Sequence, residues 1–85
     1  MHYVYLLKAI GRNDRIYIGQ TSDLERRLEQ HNNNLNSSTA HKGPWEIVYF
    51  EAYKNPKDAL EREKMLKQYG TSLSHLKKRI QHSLD

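Results

Sequence analysis

The chain is expected to fold as a small mixed α+β (α/β) domain, a three-stranded sheet flanked by three helices in the order β-β-α-β-α-α. Three observations carry that expectation. Two aromatic and aliphatic runs near the N-terminus are separated by the polar turn Gly11-Arg12-Asn13-Asp14. A third such run follows a loop rich in asparagine and serine. Three further segments place apolar residues at helical spacing, each behind a side chain able to cap a helix start.

Each element has a local reason. Tyr3 to Ala9 is aromatic and aliphatic enough for a strand, and Arg15 to Gly19 forms its hairpin partner. Thr21 or Asp23 caps the first helix, expected to run to about Asn34 with Leu24, Leu28 and Leu35 in one sector. From Asn32 to Pro44 the side chains compete for backbone hydrogen bonds, so this is a loop with a mobile tip. Trp45 to Tyr53 alternates as a third strand, with Ile47, Tyr49 and Glu51 on one face and Val48, Phe50 and Ala52 on the other. Asn55-Pro56-Lys57-Asp58 is a helix start, combining a cap, proline at the first helical position and acid near the positive dipole end. Gly70 marks its end, and Thr71 caps a last helix with Leu73, Leu76, Ile80 and Leu84 on one side.

Composition bounds what such a domain does. At 85 residues the chain is one domain, residues 1–85, with a single modest core. The formal charge of +4 is a mild bias towards polyanions and equally compatible with an ordinary solvated surface. Without cysteine there is no disulfide, thiolate nucleophile or cysteine-based zinc site. No apolar run approaches the roughly 20 residues of a membrane span, and the N-terminus lacks a signal-peptide pattern, so a soluble cytoplasmic protein is the expectation.

Polar residues on apolar helix faces are the chemical anomaly. Arg27 and His31 fall on the leucine side of the first helix at i, i+4 spacing, so their side chains can converge, while Arg26 lies on the solvated face. In the second helix Glu63 shares a stripe with Ala59 and Leu66. A carboxylate at an apolar edge needs an arginine or a metal ion, so a purely structural Arg27–Glu63 ion pair is one reading. Tyr3, Tyr5 and Tyr17 on strands are ordinary packing residues when taken singly.

Taken together, these segments resemble the GIY-YIG endonuclease family, specifically its compact stand-alone members. The two tripeptides read Tyr3-Val4-Tyr5 and Tyr17-Ile18-Gly19; the stretch from Gln20 to Asn32 is similar to the family's arginine and histidine helix, and Ala59 to Lys67 to the segment bearing its metal-binding glutamate. Tyr3 stands where the first tripeptide has glycine, and no asparagine follows Asn55, so a late asparagine contact of some members is absent or replaced.

The resemblance implies a DNA endonuclease that hydrolyses a phosphodiester at one divalent metal, Mg²⁺ with Mn²⁺ as the alternative, held by Glu63. Arg27 and the metal would match developing phosphate charge, Tyr5 or Tyr17 would take the proton of water, and His31 would orient a tyrosine or relay its proton. Lys8, Gly19, His41 and Lys42 are the candidate DNA contacts, and the basic last helix, with Lys77, Lys78 and Arg79, is either a solvated face or a further backbone contact. Gly19 suits a close backbone approach, or simply ends its strand. Low sequence specificity or selection of a DNA structure is expected, with a role in DNA repair or recombination and an accessory protein partner left open. Two other readings stand beside it. One is a catalytically weak nucleic-acid-binding module of the same fold, and the other a protein-interaction domain in which Arg27 and Glu63 merely pair.

Overall fold

A computed structural model describes the backbone of residues 1–85 and every side chain except that of Asn13; the turn expected over Gly11-Arg12-Asn13-Asp14 falls instead at Ile10-Gly11, and the strand begins at Arg12. The elements are β1 (His2–Ala9), β2 (Arg12–Thr21), α1 (Leu24–Asn32), β3 (Trp45–Tyr53), α2 (Pro56–Gln68) and α3 (Gly70–Arg79). The order and the mixed α+β class are as expected.

The strands form one antiparallel sheet in the order β2-β1-β3. Central β1 is covered on both faces, so Val4 through Ala9 is buried without interruption, which is why its sequence lacks a polar alternation. On one face Val4, Leu6 and Ile18 pack with Ala59, Leu66 and Leu76 of α2 and α3. On the other, Tyr5, Leu7, Ala9 and Trp45 pack beneath Leu24 and Leu28 of α1. The product is three layers, α1 over the sheet over α2 and α3.

Several boundaries depart from the sequence expectation. β2 extends through Thr21, so Gly19 does not end the strand. α1 stops at Asn32, and Asn34 has φ of 60°, a left-handed conformation asparagine tolerates. Leu35 therefore lies beyond the helix and is 73% exposed instead of joining Leu24 and Leu28. A bulge between Leu6 and Leu7 in the β1–β3 register gives β3 an extra residue. Trp45 and Ile47 consequently face α1, whereas Val48, Tyr49 and Tyr53 pack on the opposite side, so Ile47 does not share a face with Tyr49.

At the second helix, Asn55 caps as expected by accepting from the Lys57 amide at 2.9 Å. Tyr69, in an extended conformation, makes the break before α3, which begins at Gly70, so Thr71 lies inside α3 and is not its cap. No helix is long and apolar enough to cross a membrane.

Candidate active site

Alternation along β1 and β2 sends Tyr5, Tyr17 and Gly19 to the α1 face, with Tyr5 directly opposite Gly19. Asp23 caps α1 by accepting from the Arg26 amide at 3.1 Å, which sets the helix phase. That phase brings Arg27 and His31 down onto Tyr5, as their i, i+4 spacing requires.

One phenol oxygen is the meeting point. The Tyr5 hydroxyl lies 2.8 Å from His31 Nε2 and accepts from Arg27 Nε at 3.2 Å. The Tyr17 ring lies against His31 at a centroid distance of 5.0 Å and 6.5 Å from the Tyr5 ring. Gly19 leaves room for this cluster: a methyl there would stand 2.6 Å from Tyr5 Cζ. Its role is close approach, as one of the two sequence readings held.

Electrostatics follow from burial. His31 is 1% exposed, and desolvation, with the Arg27 charge adding to it, lowers its pKa to about 4. Its imidazole is thus neutral at physiological pH. Burial raises the Tyr5 phenol above its ordinary value despite the opposing hydrogen bond and charge of Arg27. The hydrogen bond to Tyr5 raises Arg27 and holds its charge at the site.

Glu63 lies on α2, in the opposite layer, and approaches the cluster through Lys67. Its carboxylate pairs with Lys67 Nζ at 3.2 Å, and that ammonium sits 5.4 Å from the centroid of the Tyr17 ring, at the β2 edge. Glu63 also adds a small rise to the Tyr5 phenol. Arg27 instead bonds Tyr5 and Gln30 Oε1, the latter at 2.9 Å, so the structural Arg27–Glu63 pair is not formed. Among the described residues no three metal-ligating side chains cluster. A lone carboxylate whose only ion-pair partner is a displaceable lysine does fit a hard cation completed by water and phosphate oxygens, the usual manner of Mg²⁺.

The remaining candidates are placed differently. Lys8 alternates with Leu7 and Ala9, leaves β1 on the α2 side and is 5% exposed, so it does not join the Tyr5 cluster. His41 and Lys42 are exposed in the loop after α1. His41 helps line a cleft of about 360 Å³ that also touches His31. A second cleft, of about 280 Å³, is lined by Gln20, Arg26, Arg27 and Gln30 and opens beside the Arg27 guanidinium.

Three residues at the site escaped the sequence reading. Lys67 and Gln30 carried a usable signal, lying four and three residues from Glu63 and Arg27 on their helices. Thr39 carried none. It is 1% exposed and its hydroxyl lies 2.7 Å from His31 Nδ1, although it sits in the polar loop expected to have a mobile tip. The loop is tied down at its ends, where Asn32 Nδ2 donates to the Trp45 carbonyl at 3.1 Å and its Oδ1 accepts from the Trp45 amide at 2.7 Å.

Away from this site, Glu51 accepts from Tyr49 at 2.6 Å, from Tyr53, and from two nitrogens of Arg62, of which Nε lies at 2.9 Å. Burial opposes that charge, but the donors together hold the Glu51 carboxyl below its ordinary value. The group sits on the α2 side of the sheet and ties β3 to α2.

Known proteins resemble the chain along most of its length. The chain is 40% identical over 68 residues to a UPF0213 protein of Clostridium perfringens, covering 79% of this chain and 71% of that one. It is 35% identical over 69 residues to a UPF0213 protein of Haloquadratum walsbyi, covering 80% and 75%. A 50-residue match at 42% identity, covering 52% of this chain and 16% of the other, reaches the structure-specific endonuclease subunit SLX1 of Vanderwaltozyma polyspora. No solved structure matches significantly. Residues 1–78, most of the chain, match the model of the GIY-YIG catalytic domain, and this chain therefore belongs to the GIY-YIG family.

Proposed function

We propose that the protein is a metal-dependent DNA endonuclease that hydrolyses phosphodiester bonds with low sequence specificity or with selectivity for a DNA structure. The observation that carries this reading is the Tyr5 hydroxyl, buried between Arg27 Nε and the neutral His31 Nε2. Buried polar groups with shifted pKa values beside a cleft concentrate at functional sites, which supports this reading.

Each residue has a distinct task. Arg27 presents fixed positive charge where the pentavalent phosphate gathers negative charge. Tyr5 or Tyr17 takes the proton of the attacking water. His31, neutral beside Tyr5, can accept the Tyr5 proton as that happens. Glu63 would hold a divalent cation, Mg²⁺ or Mn²⁺, which when bound would supply Lewis-acid charge to the phosphate and acidify water. The groups on offer are guanidinium, ammonium and imidazole, which favour phosphate oxygens over base edges. His41 and Lys42, exposed at the loop, extend that contact along the backbone, with Lys8 as the candidate contact from β1.

The SLX1 relative is a structure-specific endonuclease subunit, which supports selection of a DNA structure here; a branch or flap as that structure, and a role in repair or recombination, are part of the proposal. Its being a subunit also supports an accessory protein partner. A cytoplasmic location remains part of the proposal.

The test is incubation of purified protein with duplex, single-stranded, flap and branched DNA in Mg²⁺ or Mn²⁺, beside Glu63→Ala and Arg27→Ala. Metal-dependent nicking that disappears in both folded variants is expected. Undiminished cutting by Glu63→Ala would overturn the assignment. Salt-sensitive binding without product, over long incubation in several metals, would favour a binding module instead.

A further inference from the structure

We propose that Thr39 is a positioning residue of this site: its hydroxyl fixes the His31 ring with hydrogen on Nδ1 and leaves Nε2 open to take the proton of Tyr5. The argument is a count of donors and acceptors. Arg27 Nε–H points at the Tyr5 oxygen from 3.2 Å and can only donate. The Tyr5 hydroxyl is on a residue 2% exposed, and its described partners are Arg27 and His31 Nε2. Were Nε2 protonated, the phenol would receive two donors and its own hydrogen would have no acceptor, a costly state in a buried site. The proton of Tyr5 therefore belongs to Nε2, and the ring hydrogen to Nδ1.

Thr39 makes that arrangement self-consistent. Its Oγ1 accepts from His31 Nδ1–H at 2.7 Å and can direct its own hydrogen to the Asn36 carbonyl, a long contact of 3.5 Å. The residue is held where it must be. Trp45 Nε1 donates to the Thr39 carbonyl at 3.3 Å, and the Thr39 amide donates to the Asn36 carbonyl at 3.2 Å. The sequence of donations runs from Arg27 to Tyr5, His31, Thr39 and Asn36, all in one direction.

The consequence for turnover rests on the nuclease reading above; the tautomer does not. In the reaction, water gives a proton to the Tyr5 oxygen while Tyr5 passes its own to Nε2. The new oxygen–phosphorus bond forms, the bond to the leaving sugar oxygen breaks, and that oxygen is protonated from solvent. His31 becomes an imidazolium with Nδ1–H still on Thr39. With hydrogen already on Nε2 this transfer has no acceptor.

The experiment is long-range ¹H–¹⁵N spectroscopy of the histidine rings in the full chain, alongside nicking kinetics. Wild type and Thr39→Ser are expected to show His31 with Nδ1–H. Thr39→Val, similar in shape but without the acceptor, is expected to move His31 towards Nε2–H. It should also lower kcat by about 10- to 100-fold with KM little changed, as losing the partner that orients a functional histidine does elsewhere. Thr39→Ser should restore both. Nε2–H in the wild type, an unmoved tautomer in Thr39→Val, or an unchanged kcat in that variant would overturn the proposal. If the wild type cuts no DNA, the nuclease reading fails while the ring spectra still decide on Thr39. If Thr39→Val does not fold, Thr39→Ala, which also lacks the hydroxyl, supplies the same comparison with the same expected and overturning results.

Discussion

The phenol of Tyr5 occupies the space that a side chain on Gly19 would take. The two residues face each other across β1 and β2, and a methyl on Gly19 would lie 2.6 Å from Tyr5 Cζ. Gly19→Ala must therefore push the phenol away from Arg27 and His31. Overpacking of this kind costs about 1 to 3 kcal/mol, measurable as a lower melting temperature. The nicking rate should fall far more than the folded fraction does, because the hydroxyl is displaced from both partners. A variant that keeps wild-type rates would show that the site tolerates that displacement.

Under the proposed metal role of Glu63, Lys67 would compete with the cation for its carboxylate. Its ammonium pairs with the carboxylate at 3.2 Å while 45% exposed, so the pair itself contributes little to stability. Lys67→Met should leave melting nearly unchanged and lower the Mg²⁺ concentration for half-maximal nicking by about two- to fivefold, the equivalent of a surface ion pair. A higher metal requirement in this variant would mean that Lys67 assists the metal instead of opposing it.

Acid should destabilise the fold through His31. Its folded-state pKa, about 4, is below the ordinary 6.5, so the unfolded chain binds the extra proton first. The contribution is fully present above pH 6.5 and is lost as pH falls towards 4, with a full size on the order of 3 kcal/mol. Arg27, Tyr5 and Tyr17 face the ring, and of these Arg27 opposes its protonation. Melting followed from pH 7.5 to 4.5 should show a steeper fall for wild type than for His31→Gln. Parallel curves would place the proton uptake elsewhere.

Arg62 holds structure and not chemistry. It bridges to Glu51 on the α2 side of the sheet, with side-chain exposures of 26% and 15%. Arg62→Met would leave a half-buried carboxylate with only its two tyrosine donors, costing about 2 to 3 kcal/mol, below the fully buried case because water still reaches the pair. Nicking per folded molecule should be unchanged. Loss of activity without loss of stability would assign Arg62 to substrate contact.

Periodicity and local chemistry alone determined the order of the elements and placed Arg27, His31 and Glu63 on apolar helix faces, whereas Tyr5 and Tyr17 gained a role only through the family resemblance. The hairpin, the Asn55-Pro56 helix start and the leucine-side placement of Arg27 and His31 are local properties, because capping, turn preference and i, i+4 geometry act over a few residues. Glu63 was legible for the same reason. What the tertiary structure decided depends on contacts between segments far apart in sequence. The bulge in β3 moved Tyr49 away from the face of Ile47; α1 stopped before Leu35; and Lys8 left its strand on the side away from Tyr5. Thr39 is the sharpest case. No local rule distinguishes it from its polar neighbours, and only the folding of its loop onto Trp45 buries that hydroxyl against His31.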